Sequence, residues 1–216
     1  MSTMRNMQKD TYLYAGIGIF LVGSIIGMGY AGYSWYRNAK EAAAYKDLSE
    51  SLDGYAKAAA SSSLAQRSSA NQWAEVQQAF EIGAQSHSSS VLYPYFLAYQ
   101  ADALLQQEKD AEALSLMDKA VASMDKTHPL YYAYALKDGL MNSDSSDPSR
   151  VQKGRELVQT LANDNANPLQ DMARYYSALG ARSRGEIDVA QQRLQQLIAT
   201  GNEGSVWYQK ALNSMR

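Results

Sequence analysis

Between Thr11 and Tyr36 the chain reads TYLYAGIGIFLVGSIIGMGYAGYSWY, 26 residues without one charged side chain. Coiled as a helix at about 1.5 Å per residue, it reaches roughly 39 Å, against a bilayer hydrocarbon core of about 30 Å. The run therefore predicts a transmembrane helix over 11–36, with the lipid bilayer as the first partner. Tyr12 and Tyr14 at one end, and Tyr30, Tyr33, Trp35 and Tyr36 at the other, fall at headgroup depth, with Lys9 and Arg37 just outside. A cleaved signal peptide fits the run less well, because its apolar core is only about 7 to 15 residues long and is followed by small residues. Here aromatic bulk stands in their place. Gly16, Gly23, Gly27 and Ala31 share one face of this helix, at spacings of seven, four and four. Small residues so placed let another helix approach closely, so the stripe predicts a partner span, either a second copy of the chain or a channel subunit.

Everything outside this run is compatible with water. Residues 1–10 form a short polar tail, and residues 37–70 a juxtamembrane helix and linker. In the latter, Ala44, Leu48, Leu52, Tyr55 and Ala59 recur at three-to-four spacing before the Ser-rich patch that includes Ser61 to Ser63, Ser68 and Ser69. From Asn71 the pattern is helix, short loop, helix. Pro94, Pro129, Pro148 and Pro168 each follow a capping or turn residue, where the missing N–H is harmless and the fixed φ already helical. Because no stretch alternates with period two, the expected fold class is all-α.

An internal period underlies the helices. Ala79 to Ala113 is 34 residues, Ala113 to Gly154 is 41, and Gly154 to Ala190 is 36; removing the insertion between Asn142 and Asp147 brings the middle interval close to the first. A common frame of small and bulky positions recurs: Ala113, Met117, Ala120; Gly154, Val158, Leu161; Ala190, Leu194, Leu197. Leu97, Ala101 and Leu104, then Tyr131 and Ala135, then Ala178 and Ala181 serve the first helix of each pair. Small residues suit the closest approach of two antiparallel helices, and bulky ones the cover over the next pair. Residues 71–216 thus read as stacked helical hairpins.

In these positions the chain resembles the tetratricopeptide repeat, whose small and bulky positions recur every 34 residues. Glu108 departs from the pattern, standing where a turn glycine is usual, and Arg174 where an aromatic is; the turn Gly185-Glu186 fits. With a stub, one span and about four repeats, the architecture resembles the single-pass, repeat-bearing ancillary subunits of the bacterial Sec translocon. That resemblance implies a bacterial inner-membrane protein with residues 1–10 cytoplasmic and the repeats periplasmic, working with chaperones on emerging secretory proteins. Charge leaves the orientation open: Arg5 and Lys9 precede the span, while Arg37, Lys40 and Lys46 follow it.

Chemistry-bearing constellations are sparse. With no cysteine there is neither a thiolate nucleophile nor a Cys-rich zinc site, and His87 and His128 lie far apart in Ser- and Pro-flanked loops, with no carboxylate at metal-pair spacing. No metal, no cofactor and no enzyme activity are expected. A net charge of −2, with Lys and Arg dispersed among Asp and Glu, lacks the basic footprint of a nucleic-acid binder. What is left is binding to other proteins. In a superhelix the concave wall would be built from Tyr95, Ala98 and Asp102, then Tyr132 and Leu136, then Met172, Tyr175 and Leu179. Tyr and Met there suit adaptable contacts. Asp110, Glu112, Asp118 and Lys119 would form a solvated outer face. The function expected is a membrane-anchored protein-binding scaffold, the alternative being a structural subunit packed permanently inside a larger membrane complex.

Overall fold

Two backbone reversals show how local chemistry divides the chain into hairpins. At the end of one helix Glu108 takes φ 61°, and at the end of another Gly185 takes φ 79°. In both, the left-handed residue's N–H reaches back three residues (Glu108 to Leu105 O, Gly185 to Arg182 O) and the next N–H reaches back five (Lys109 to Leu104 O, Glu186 to Ala181 O). This is the Schellman closure, which satisfies carbonyls that the helix end leaves orphaned. Asp147 and Ser205 start helices by the complementary device, their side chains accepting from the backbone N–H of Ser149 and Trp207.

The computed structural model describes residues 34–61 and 70–215. All regular structure among them is helical. α1 is helical over 34–61; α2 (Ala70–Ser86), α3 (Tyr93–Leu105), α4 (Asp110–Ala122), α5 (Tyr131–Ser143), α6 (Pro148–Asn163), α7 (Gln170–Ser183), α8 (Ile187–Thr200) and α9 (Val206–Ser214) follow. Among the described residues no helix is long and apolar enough to cross a membrane. Residues 11–33 of the expected span, with Gly16, Gly23, Gly27 and Ala31, lie outside the described residues, as does most of the expected Ser-rich turn.

Pro148 opens α6 and Pro94 falls in the first turn of α3. Pro129 and Pro168 differ from expectation: each sits in a turn two residues ahead of its helix. There Tyr131 N bonds His128 O and Gln170 N bonds Asn167 O, a three-residue reach, before the four-residue ladder begins.

The chain divides between Asp47 and Leu48 into two units. Of the first, residues 34–47 are described, and they are helical. The second begins well ahead of Asn71, because Leu48, Leu52, Tyr55, Ala58 and Ala59 of α1 belong to its first core, with Trp73 and Phe80 of α2, Phe96 and Ala101 of α3, and Met117 of α4. A second core joins Ala135 and Leu136 of α5 to Val158 and Leu161 of α6 and Ala173 of α7. A third joins Ala178 of α7 to Leu194 and Leu197 of α8 and Ala211 of α9. From α2 to α9 each helix packs on its neighbour in sequence, and α7 also meets α9. Every residue of the recurring frame on α4, α6 and α8 is buried.

Glycine permits the tightest of these contacts. A Cβ on Gly154 of α6 would collide with Ser143 N and lie 2.5 Å from Gly139 O, both backbone atoms of α5. Across the same contact a Cβ on Gly139 would meet the Val158 Cγ2 methyl at 2.8 Å. Side chains larger than hydrogen at 154 would force these two helices apart.

Candidate functional site

Burial of the hairpin seams leaves one face of α3, α5 and α7 uncovered, and three clefts run across it. The first, of ≈ 320 Å³, lies between α3 and α5 and is lined by Ala98, Tyr99, Asp102, Ala133, Tyr134 and Lys137, with Leu130 just ahead of α5. The second, of ≈ 350 Å³, shares Ala133 and Lys137 with the first and adds Leu136, Leu140, Met141, Leu169 and Met172. The third, of ≈ 380 Å³, shares Leu140 and Asp144 with the second and continues to Tyr176, Leu179 and Gly180. Common walls make them one trough. On α5 the lining follows Ala133, Lys137, Leu140, Asp144, and on α7 Met172, Tyr176, Leu179, Ser183. Both are steps of four, three and four, the spacing of a single helix face.

The chemistry changes along the trough. At the α3 end Lys137 Nζ bonds Asp102 Oδ1 at 2.5 Å and Oδ2 at 2.6 Å, so the two charges that line this cleft neutralise each other. Tyr99 is held from behind: its ring stacks on Phe80 (5.4 Å, 16°) and meets Tyr55 edge-on at 5.3 Å. Tyr134 beside it is pushed well above the usual phenol range, first by burial and then by the neighbouring Tyr99 and Tyr95 oxygens, so it stays neutral. The middle cleft is walled chiefly by Leu136, Leu140, Met141, Leu169 and Met172.

At the far end α6 and α8 bring in Arg155 and Arg193, and the end of α7 brings Arg184. Arg184 is fully engaged, with Nε and Nη2 on the two oxygens of Glu186 at 2.8 Å each and Nη1 on Gly180 O at 2.6 Å. Arg193 is anchored through Nη1 alone, to Ser177 O at 2.8 Å and Ser177 Oγ at 2.7 Å. Burial, then the Arg184 charge beside it, hold its guanidinium below the ordinary value. Among the described residues neither Arg155 nor Arg193 has an ion-pair partner. Asp144 is the only acid in the lining of this cleft.

Of the residues expected on a concave wall, Asp102, Met172 and Leu179 line the trough, as does Ala98. Leu136 borders it from beneath but is 1% exposed and belongs to the second core. The other three lie elsewhere. Tyr95 packs on the first core and meets His128 Nε2 at 3.3 Å; Tyr132 donates to Asp164 Oδ2 at 3.1 Å beyond the end of α6; Tyr175 sits against Trp207 of α9 with ring centroids 5.6 Å apart. On α5 the wall starts one residue later than expected, at Ala133 instead of Tyr132, a rotation of about 100°; on α7 Met172 and Leu179 keep their places and Tyr176 takes that of Tyr175. Lys137 and the three arginines were missed as well. Lys137 has a readable signal, since it is four residues after Ala133 on the same face; the arginines come from three different helices and have none.

Among the outer-face charges, Asp118 is less solvated than expected. It accepts from Lys153 at 2.5 Å and from Arg150 and Asn142 at 3.3 Å each, while Asn142 also donates to Asp138 Oδ1 at 2.8 Å. This ties α4, α5 and α6 together on the side away from the trough lining. No protein-family model matches this chain, and no curated protein or solved structure is similar to it.

Proposed function

We propose that this chain is a membrane-anchored scaffold that docks other proteins along the trough of α3, α5 and α7. The observation that carries the reading is the continuity of three open clefts with shared walls, which run across α3, α5 and α7 and reach α6 and α8 at the far end. A surface with an apolar middle and polar ends, deep enough for side chains, suits an extended protein segment. The uncharged run over 11–36 supplies the anchor. The hairpin stack is a tetratricopeptide-like solenoid in this reading, and its nearest-neighbour packing supports that. Its place is the bacterial inner membrane with the repeats periplasmic, beside a complex such as the protein-secretion machinery.

Photo-cross-linking in native membranes tests this directly. A probe replacing Met172 in the trough should capture a discrete protein, and a probe replacing exposed Gln191 on α8 should not. Equal capture from both positions would instead make the chain a structural subunit enclosed by its neighbours, and capture from neither would end the docking reading. Protease added to spheroplasts should digest the helices after Arg37 before the membrane is dissolved. Resistance until detergent is added would place them on the cytoplasmic face.

A further inference from the structure

The charges of the trough are resolved at one end and unresolved at the other. Asp102 and Lys137 neutralise each other at the α3 end, and Arg184 is neutralised by Glu186. Arg155 and Arg193 have no carboxylate of their own, although they share the third cleft with Arg184. Like charges gathered in a partly enclosed space repel, and the two carboxylates at hand, Asp144 in the wall and Glu186 bound to Arg184 and within electrostatic reach of the other two, leave three guanidinium groups one negative charge short. An incoming anion would. The walls around the arginines include Leu140, Val158, Tyr176 and Leu179, so the space suits a side chain with an apolar stem more than a bare ion. Next to it lies the apolar middle cleft.

Resting on the reading of the trough as a protein-docking surface, we infer that its occupant is an acidic segment of a partner protein. A large apolar side chain of that segment fills the cleft at Met172 and Leu140, and an Asp or Glu side chain next to it meets Arg155 and Arg193. The guanidinium fork of Arg155 and the unengaged Nε and Nη2 of Arg193 are donors of the geometry a carboxylate accepts. A phosphorylated side chain would offer the same arginines a dianion, and its affinity relative to Glu at that position separates the two. The orientation follows from the charges: apolar group toward α3, acid toward α8.

The test is a selection of short random peptides, displayed internally so that no free C-terminus is offered, against the full chain purified in detergent. Enriched sequences should place Asp or Glu one or two positions from Leu, Phe or Trp. A synthetic, amidated copy of the strongest should lose about tenfold or more in affinity against Arg155→Glu and weaken as salt rises, and should bind Lys119→Glu as it binds the wild type. Arg155 is exposed and makes no hydrogen bond among the described residues, so this change should leave the helical circular dichroism intact. Arg155→Ala, with a smaller loss expected, replaces it if it does not. Enrichment of basic or uncharged sequences, or of none, would overturn the inference. So would binding that is unchanged in both Arg155 variants, that requires a free terminal carboxylate, or that is stronger for phosphoserine than for Glu at the acidic position. If the Met172 probe still captures its protein in Arg155→Glu membranes, docking stands and the acidic occupant alone falls.

Discussion

Glu108 and Gly185 close two helices with the same pair of hydrogen bonds, yet only one of them is suited to a positive φ. An L side chain in the left-handed region crowds the following carbonyl, at a cost of about 1 to 2 kcal/mol. Glu108→Gly should therefore stabilise the protein by about 1 kcal/mol, part of the gain being lost to the freer unfolded chain of glycine. Urea denaturation would show it as a higher midpoint with an unchanged slope, and a lower midpoint would contradict the left-handed geometry. Gly154 presents the opposite case, since a Cβ there meets backbone, which cannot swing away. Gly154→Ala should cost on the order of 1 to 3 kcal/mol through forced separation of α5 and α6. Gly139→Ala should cost less, because the nearest obstacle is a methyl of Val158. Equal losses at the two sites, measured in the same denaturation series, would say that the helices are free to slide.

Three elements meet at Asp138 on α5, which is 3% exposed and faces Asp118 of α4, Asn142 of its own helix, and the charges of Lys153 and Arg150 on α6. Burial, then the Asp118 carboxylate, push Asp138 up to about 7, so at mild acidity it holds its proton. Burial also acts against the Asp118 anion, but the Lys153 hydrogen bond and charge prevail and hold its carboxyl below the usual range. A carboxyl whose folded pKa is raised contributes stability that is complete below its unfolded value near 3.8 and is lost as pH climbs through about 7. Asp118 has the reverse sign, its contribution vanishing as pH falls below the ordinary carboxylate range. Asp138→Asn keeps an acceptor for Asn142 and a donor for Asp118 without ever ionising. It should come closest to the wild type below about pH 4 and gain on it up to pH 8, by on the order of 2 to 4 kcal/mol over that range; thermal melts at pH 4 and pH 8 would reveal a constant difference if Asp138 does not titrate. At this scale the sequence was readable in part. Helix starts followed from Asp147, Pro148 and Ser205, and the buried frame from Ala113, Gly154 and Ala190. The trough face of α5 did not, because Tyr131, Tyr132 and Tyr134 are half-buried rings spread around one turn, and periodicity alone cannot say which of them turns inward.

Across the whole of residues 48–215, apolar burial is divided among three cores, each shared by helices adjacent in the chain. Stacks of this kind lend stability from neighbour to neighbour, so damage stays local. Leu197→Ala, in the third core, should cost about 2 to 5 kcal/mol there and speed amide exchange in α8 and α9 far more than in α2 to α4. A uniform acceleration would mean that the cores unfold together. The sequence disclosed the hairpin order because each pair repeats its own small-and-bulky signature locally. It disclosed less of the site, since the arginine cleft is assembled from α6, α7 and α8 by packing, and no spacing along the chain records that convergence. The trough itself crosses from the first core at α3, over the second at α5, toward the third at α7. Anything lying in it acts as a splint across joints that the protein otherwise leaves to single helix contacts. Occupancy would then be legible in the number of melting steps: an empty chain fraying hairpin by hairpin, a filled one giving way all at once.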